Sequence, residues 1–264
     1  MARLTENAIT ALARMGYAAR GTVYLLVGGL AALAAIGQGG QTTGSRGAIA
    51  QLLTAPLGDF LLATLALGLA GYAIWRCIQA IGDTDQHGLS PKGLTIRAGL
   101  LVSAMTHLFL AFFAISLIFT LSSSSGGGSE GFASWLMTQP LGRWLVGAVG
   151  ILMIGAGLAH GLKGARATFD EHFDMPPETQ QWAYPICRFG LVIRGVVFVV
   201  AGNFFVIAAY HLNPREAGGL AEVFDTFGSQ RFGAWLIGFV AIGLLAFGIY
   251  SLLEAIYRRV DPPS

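Results

Sequence analysis

Six long apolar stretches alternate with shorter polar segments along the chain. Each stretch is long enough to cross the hydrocarbon core of a bilayer, which takes about 20 helical residues. Helices are expected because backbone polar groups inside a bilayer must be satisfied within their own segment, and no long alternating strand pattern occurs. The pattern therefore predicts six transmembrane helices, at about 17–37, 57–81, 98–121, 141–162, 189–210 and 233–257.

The six stretches form three similar pairs. Units near 13–85, 96–170 and 187–261 each hold two predicted spans, and self-similarity at a fixed period marks a repeat architecture. Because each unit has an even number of spans, all units enter the membrane from the same side. We therefore expect an all-α integral membrane fold, one domain over 1–264, with three parallel two-helix repeats about a pseudo-threefold axis along the membrane normal. The matched positions are Arg14, Arg97 and Arg188; Gly16, Gly99 and Gly190; Arg20, Ser103 and Arg194; and Gly21, Ala104 and Gly195.

A short amphipathic segment precedes the second span of each unit. The three segments read AIAQLL, FASWLM and AEVFDTF, and each predicts a brief helix at the membrane interface. The Ser- and Gly-rich run 122–131 before the second of them has the composition of a linker. The segment 171–185 is polar and contains prolines, so it predicts a loop.

The composition agrees with a membrane protein. Hydrophobic residues make up 54% of the chain and charged residues 11%, whereas a soluble domain has about 25% charged residues. The net charge is +2 and no basic run occurs, which argues against nucleic acid as a partner. Cys77 and Cys187 belong to no paired motif, so both are expected to be free thiols.

The distribution of basic residues predicts the orientation. Ten basic residues lie on the side of the two termini and four on the other side, which places both termini in the cytoplasm of a bacterial cell by the positive-inside rule. The ten are Arg3, Arg14, Arg76, Lys92, Arg97, Lys163, Arg166, Arg188, Arg258 and Arg259, and the four are Arg46, Arg143, Arg215 and Arg231.

Arg20 and Arg194 are charged residues inside predicted spans. Arg20 lies about 9 Å deeper than Arg14 at the helical rise of 1.5 Å per residue. Its side chain can extend back to the interface, or it can pair with Glu254, the expected partner of Arg20 or Arg194. Two arginines against one glutamate leave a positive excess. This excess predicts a site for an anionic lipid headgroup or an anionic substrate.

Further polar positions add to this candidate site. Gln79, Lys163 and Glu254 are equivalent in the three units and form one possible polar ring, while the positions of Arg20, Ser103 and Arg194 form a second. His107 lies deeper in the third span. It is either a functional group or a neutral imidazole that is hydrogen-bonded to a neighbouring helix.

No catalytic signature of a nucleotide-binding, metalloprotease or hydrolase type occurs in the chain. A metal or haem shared by His107 and His160 is disfavoured because no further ligands cluster with them. We therefore expect no enzymatic activity, no cofactor and no metal.

The repeated pair of spans, with RxGYxxRG opening the first unit and PLG before its second span, resembles the DUF1206 family over nearly the whole chain. The middle unit departs from the pattern, with Ser103 and His107 in place of an arginine and an aromatic residue. The resemblance implies a bacterial inner-membrane protein of unknown function. The first unit matches best, through Arg14, Gly16, Tyr17, Arg20, Gly21, Tyr24, Gly58, Gly68, Tyr72, Trp75 and Arg76.

Two functional classes remain open. The first is a structural or accessory protein that binds membrane lipids, anionic ones among them, or a partner membrane protein or a second copy. The alternative is a small transporter or channel for an anionic or small solute, with a wet cavity lined by residues such as Arg20, His107 and Arg194. The scarcity of charges within the spans, and the lack of an obviously interrupted span, favour the first class.

Overall fold

The computed structural model describes residues 2–40, 42–119, 129–170 and 173–260. Within these ranges the chain is almost entirely helical. Six of the helices are long and apolar enough to cross a membrane, which confirms the prediction of a multi-pass membrane protein. They are α1 (Ala2–Ala35), α3 (Gly58–Gly82), α4 (Pro91–Ile118), α6 (Gly142–Arg166), α7 (Pro177–His211) and α9 (Gly233–Tyr257).

Three short helices stand before the second long helix of each unit, where the amphipathic segments predict them. They are α2 (Ser45–Gln51), α5 (Ser129–Met137) and α8 (Leu220–Gly228), and α2 continues into a 3-10 turn at Leu52–Thr54. Residues 122–128 of the predicted linker lie outside the described part of the chain.

The first helices of the outer units begin earlier than predicted. The prediction of a loop over 171–185 is wrong from Pro177 onward, because α7 begins there and carries Pro185 inside it. Proline is favoured in the first turn of a helix, where its missing N–H costs nothing. Helix α1 also begins early, at Ala2, whereas the predicted span begins at about 17. Loss of hydrophobicity therefore marks the end of the membrane-spanning part, not the end of the helix.

The PLG motif forms the entry to the second span. Leu57 and Leu141 both adopt left-handed backbone, with φ of 61° and 62°, directly before α3 and α6. A Cβ on Gly58 would lie 2.6 Å from the carbonyl oxygen of Leu52. Glycine is thus required because the short helix turns back against the start of the long one.

The long helices follow one another around a ring that is open at one place. Helix α1 packs against α3 and α9, α3 packs against α4, α6 against α7, and α7 against α9. In contrast, α4 and α6, the two long helices of the middle unit, make no extended contact. The second helix of every unit packs against the first helix of the next, which fits a three-repeat arrangement. The pseudo-threefold axis itself stays a prediction.

Backbones touch where neighbouring units meet. Gly195 and Gly202 of α7 face Gly157 and Gly150 of α6, and a Cβ on Gly195 would lie 2.6 Å from the carbonyl oxygen of Gly157. Small residues allow such close approach of membrane helices. Equivalent residues join α1 to α9, namely Gly21, Gly28, Ala241 and Gly248. The glycines of the repeat motif are therefore packing residues between units.

The repeated arginine of α4 and α7, Arg97 and Arg188, caps the preceding unit. Arg97 donates to the carbonyl oxygens of Ala80 and Ile81 at the end of α3, at 2.6 and 3.1 Å. Arg188 donates in the same way to the last turn of α6, at 3.2 and 2.9 Å. A cation is favourable at a helix C-terminus, where carbonyl groups lack partners. Arg14, the matching residue of the first unit, is exposed.

The middle unit lacks the contact that closes the other two. A Cβ on Gly16 would lie 2.5 Å from the Cα of Tyr72, so α1 and α3 touch there, and Gly190 meets Phe247 of α9 as closely. Gly99, the equivalent residue of α4, has no other part of the structure within 4 Å of such a Cβ.

The residue at the facing position explains the difference. A Cβ on Gly68 of α3 would lie 2.5 Å from the Cβ of Ala19, and Gly243 of α9 is packed as tightly against Ile193. The middle unit has Leu152 at this position, which cannot fit such an approach. Its partner Val102 is 38% exposed, whereas Ala19 is 8% exposed.

Candidate functional site

Polar side chains gather in the interior near the end of the bundle that holds both termini. Glu254 marks their depth, since it lies one turn before the end of α9 at Tyr257, or about 4.5 Å at 1.5 Å per residue. We call this group the polar cluster. Its members are Arg20, Tyr72, Arg76, Gln79, Asp85, Lys163, Arg194, Ser251, Glu254 and Arg258, with His107 and His160 at its edge.

Arg20 is fully satisfied inside the protein. Its guanidinium forms an ion pair with Glu254 and donates to the hydroxyl of Tyr72. Its Nε donates to the hydroxyl of Ser251 at 3.1 Å. The side chain is 4% exposed, so the interpretation that it extends to the interface is wrong. Of the two arginines considered as partners of Glu254, the structure pairs Arg20.

Glu254 joins Arg20 to a second arginine. Its Oε1 accepts from Arg258 at 2.7 Å and from the hydroxyl of Tyr250 at 3.1 Å. Arg258 in turn lies 3.6 Å from a carboxylate oxygen of Asp85. Helix α9 is thereby tied to the loop that follows α3.

Gln79 belongs to the same network through this loop. Its amide nitrogen donates to Asp85 at 3.0 Å, and its oxygen accepts from Arg76 at 2.9 Å. The loop is held by Asp83, which accepts from the backbone N–H of His87 and of Gly88, both at 2.8 Å. The Gly88 bond, followed by the His87 bond, lowers the pKa of the Asp83 carboxyl.

Arg194 has the same repeat position as Arg20 but different surroundings. It is 6% exposed, and in the described part of the chain its Nε and Nη1 have no hydrogen-bond partner. The guanidinium carbon lies 4.8, 4.5 and 4.3 Å from the ring centres of Tyr24, Phe198 and Phe247. Aromatic faces attract a cation but accept no hydrogen bond along the guanidinium plane. Arg194 is therefore a buried cation with open donors.

Two histidines border the cluster on the middle unit. His107 and His160 each bond through Nδ1 to the carbonyl oxygen four residues earlier in their own helix, both at 2.7 Å. This differs from the predicted bond to a neighbouring helix. Because a carbonyl only accepts, Nδ1 carries the proton and Nε2 is left for another partner. The ring of His107 lies 4.5 Å from that of Tyr72, and His160 lies 5.7 Å from Phe198.

The charges of the cluster do not balance. Its five cationic side chains face two carboxylates, Asp85 and Glu254. Lys163 is half-buried and forms no hydrogen bond or ion pair within the described ranges. A positive excess inside a membrane protein is costly unless an anion compensates it. The arrangement can therefore hold an anion, with Arg194 as its least satisfied cation.

The two predicted rings are only partly assembled. The structure brings Arg20 and Glu254 into contact. It connects Gln79 to them through Asp85 and Arg258. The side chains of Lys163 and Ser103 are not hydrogen-bonded to this network. Sequence reasoning did not place Tyr72, Arg76, Ser251 or Arg258 in the site. Arg76 and Ser251 could have been found, since each precedes a ring residue by three positions and so shares its helix face.

Two free cysteines, and no group of possible metal ligands, lie in the part of the chain described. There, no three His, Cys, Asp or Glu side chains are grouped as a metal site would require. Cys77 and Cys187 are free thiols, as predicted.

Comparison with known proteins supports the three-unit organisation. The family described as Domain of Unknown Function (DUF1206) matches the chain three times, at 15–83, 98–167 and 189–258. The chain is 32% identical over 263 residues to "Uncharacterized protein YxxB" of Bacillus subtilis (strain 168), which covers 97% of this chain and 94% of that protein. No solved structure matches. Three successive matches, together with similarity over almost the full length, show that the chain belongs to the DUF1206 family.

Proposed function

We propose that this protein is a non-enzymatic structural or accessory protein of the bacterial cytoplasmic membrane, and that it binds an anionic group at the polar cluster. The observation that carries the proposal is Arg194, a buried cation whose Nε and Nη1 have no hydrogen-bond partner among the described residues. Its repeat equivalent Arg20, in contrast, has every nitrogen occupied.

An anion would meet the needs of Arg194. A phosphate or carboxylate presents paired oxygens that match the planar donors of a guanidinium. A hydrogen bond to a charged group contributes about 1.5–3 kcal/mol, so two such bonds would offset a large part of the desolvation cost. The nearby Lys163 and the Nε2 atoms of His107 and His160 could add further donors.

The position of the site favours a lipid or a partner's acidic group over a transported solute. The polar cluster extends from Glu254, one turn before the end of α9 and near the depth of lipid headgroups, to Arg194, which contacts Phe247 ten residues before that end. By the count of basic residues, this end faces the cytoplasm, whose leaflet carries anionic lipids. The unit interfaces at Gly195 are packed backbone to backbone, which suits a scaffold better than a moving transport path.

Native mass spectrometry of the protein in dodecyl maltoside tests the anion site. Phosphatidylglycerol or inorganic phosphate is added to the wild type, to Arg194→Gln and to the control Arg166→Gln, which removes an exposed charge at the same end. We expect affinity for one of the probes to fall about tenfold or more in Arg194→Gln only. Equal binding of both probes by all three proteins would show that no anion site exists at Arg194.

A further inference from the structure

We infer that the anion is the headgroup of an anionic membrane lipid, which enters sideways between α4 and α6 and reaches Arg194. This ligand class and this route rest on the proposed anion site. The middle unit differs from the other two, because its two long helices make no extended contact although the equivalent helices of both other units do.

The inner face of α4 is uncovered. Three residues that are buried against the second helix in the other units have exposed equivalents in α4. The exposed residues are Gly99, Val102 and Thr106, and their buried equivalents are Gly16, Ala19 and Val23 in α1 and Gly190, Ile193 and Val197 in α7.

The facing surface of α6 shows the same loss of cover. Leu152, Met153 and Ala156 are only half-buried. Their equivalents are buried, namely Gly68, Leu69 and Tyr72 in α3 and Gly243, Leu244 and Phe247 in α9. The two uncovered faces together form a cleft, which we call the middle-unit cleft.

The side chains at the cleft keep α4 and α6 apart and leave the space between these helices unfilled. Leu152 replaces a glycine, so the backbones of α4 and α6 cannot close as those of the other units do. Ser103 stands where the other units have an arginine, and Ala156 stands where they have Tyr72 and Phe247. Leu152 therefore keeps the two helices apart, and the small side chains of Ser103 and Ala156 leave the space between them open to lipid.

The cleft leads to the polar cluster. His107 follows the exposed Thr106 on α4, and His160 lies one turn after Ala156 on α6. The ring of His160 lies 5.7 Å from that of Phe198, and the guanidinium carbon of Arg194 lies 4.5 Å from the same Phe198 ring. The polar cluster thus lies directly behind the two histidines.

The chemistry of the cleft fits an amphiphile with a negative head. Its mouth carries apolar side chains such as Val102 and Leu152, which suit an acyl chain, and its inner end carries uncompensated positive charge. Basic pockets between transmembrane helices near a headgroup layer bind anionic lipid heads. A second copy of this chain or a free anion would use only one of these two features.

Tryptophan substitution of open glycines tests the route. A Cβ on Gly99 or on Gly155 meets nothing within 4 Å, so both positions accept a larger side chain. Gly99 lies on the uncovered face of α4. Gly155 of α6 points about 110° away from the mean direction of Leu152, Met153 and Ala156, by the 100° per residue of a helix. Ala156→Phe is a second blocking variant, which restores the aromatic character of the other two units.

Binding of dioleoylphosphatidylglycerol is measured by native mass spectrometry for the wild type, both blocking variants, Gly155→Trp and Arg194→Gln. We expect about tenfold weaker binding for Gly99→Trp, Ala156→Phe and Arg194→Gln, and wild-type binding for Gly155→Trp. The melting temperatures of Gly99→Trp and Gly155→Trp should stay unchanged. A photoactivatable acyl chain on the lipid should label α4 and α6 in the wild type.

Other outcomes separate this inference from the anion site. If only Arg194→Gln weakens lipid binding, the anion site stands and entry through the middle-unit cleft is wrong. If inorganic phosphate binds in an Arg194-dependent way while the lipid does not, the ligand is a free anion. If Gly99→Trp converts a dimer to a monomer, the cleft is an interface between copies. Unchanged binding of both probes in every variant overturns both proposals.

Discussion

Replacing each of the two repeat-related arginines by methionine should change the stability of the lipid-free protein in opposite directions. Arg20→Met removes the donors to Glu254, Tyr72 and Ser251. Breaking a buried ion pair costs about 3–5 kcal/mol, and the lower end applies here because Arg258 still pairs with Glu254.

For Arg194→Met the balance is reversed. The substitution loses three aromatic contacts, each worth about 0.5–2 kcal/mol, but it also removes a buried charge whose desolvation costs several kcal/mol without an anion. We expect a gain of about 1–3 kcal/mol, because replacing buried ionic groups by apolar ones of similar volume stabilises by about that amount. Adding an anionic lipid should stabilise the wild type by mass action and remove the advantage of Arg194→Met.

Thermal unfolding of delipidated protein in dodecyl maltoside, followed by the fluorescence of the five tryptophans, measures both changes. For a chain of this size, 1 kcal/mol moves the melting temperature by about 2–4 °C. We therefore expect a fall of about 6–12 °C for Arg20→Met and a rise of about 2–12 °C for Arg194→Met. Equal losses for the two variants would refute the reasoning, since they would mean that Arg194 is as well compensated by the protein as Arg20.

Three further substitutions test the packing and capping described above. Gly195→Val should prevent folding or lower the melting temperature by about 6–12 °C, the effect of about 3 kcal/mol, because its side chain would meet the backbone of α6. Gly155→Val at an open position should cost about 1 kcal/mol or less, and equal effects would contradict the packing role. Arg188→Met should lower the stability by about 1 kcal/mol, because the cap of α6 is lost. Arg14→Met, at an exposed position, should lower it by less than half of that, and the same thermal assay measures both. Glu254→Gln should lower the free energy of unfolding by about 3 kcal/mol in the wild type and by clearly less in an Arg20→Met background. Additive losses in this double-mutant cycle would rule out direct coupling between the two residues.

Much of the architecture can be predicted because it depends on local patterns. The six spans follow from the length of the apolar runs, and the three units follow from matched positions such as Arg20 and Arg194. Glu254 is also predictable as the partner of Arg20 or Arg194, because few carboxylates lie within the spans and only one lies at the right depth. The choice of Arg20 follows only from the structure. Helix ends were harder to predict, since α7 continues as a polar helix back to Pro177.

Other features depend on packing that a single sequence does not display. Gly99 matches Gly16 and Gly190 in the repeat motif, yet a Cβ on it would meet no neighbouring helix within 4 Å in the described part of the chain. The determining residue is Leu152 on another helix. The role of Arg97 as a cap was equally hidden, since its acceptors belong to the preceding unit. Departures within the middle unit were visible, but their result, an open side of the ring, follows only from the tertiary contacts.

The contact between α1 and α9 has a consequence for how the protein is made. Arg20 and Glu254 are 234 positions apart, so the ribosome has to add almost all of the remaining chain before the counter-ion of Arg20 exists. At about 5–20 residues per second, this takes on the order of 10–50 s. During that time α1 carries an uncompensated charge, and a chain that ends before α9 never acquires the partner. A truncated product without α9 therefore keeps an uncompensated charge in its first span, which is costly inside a bilayer.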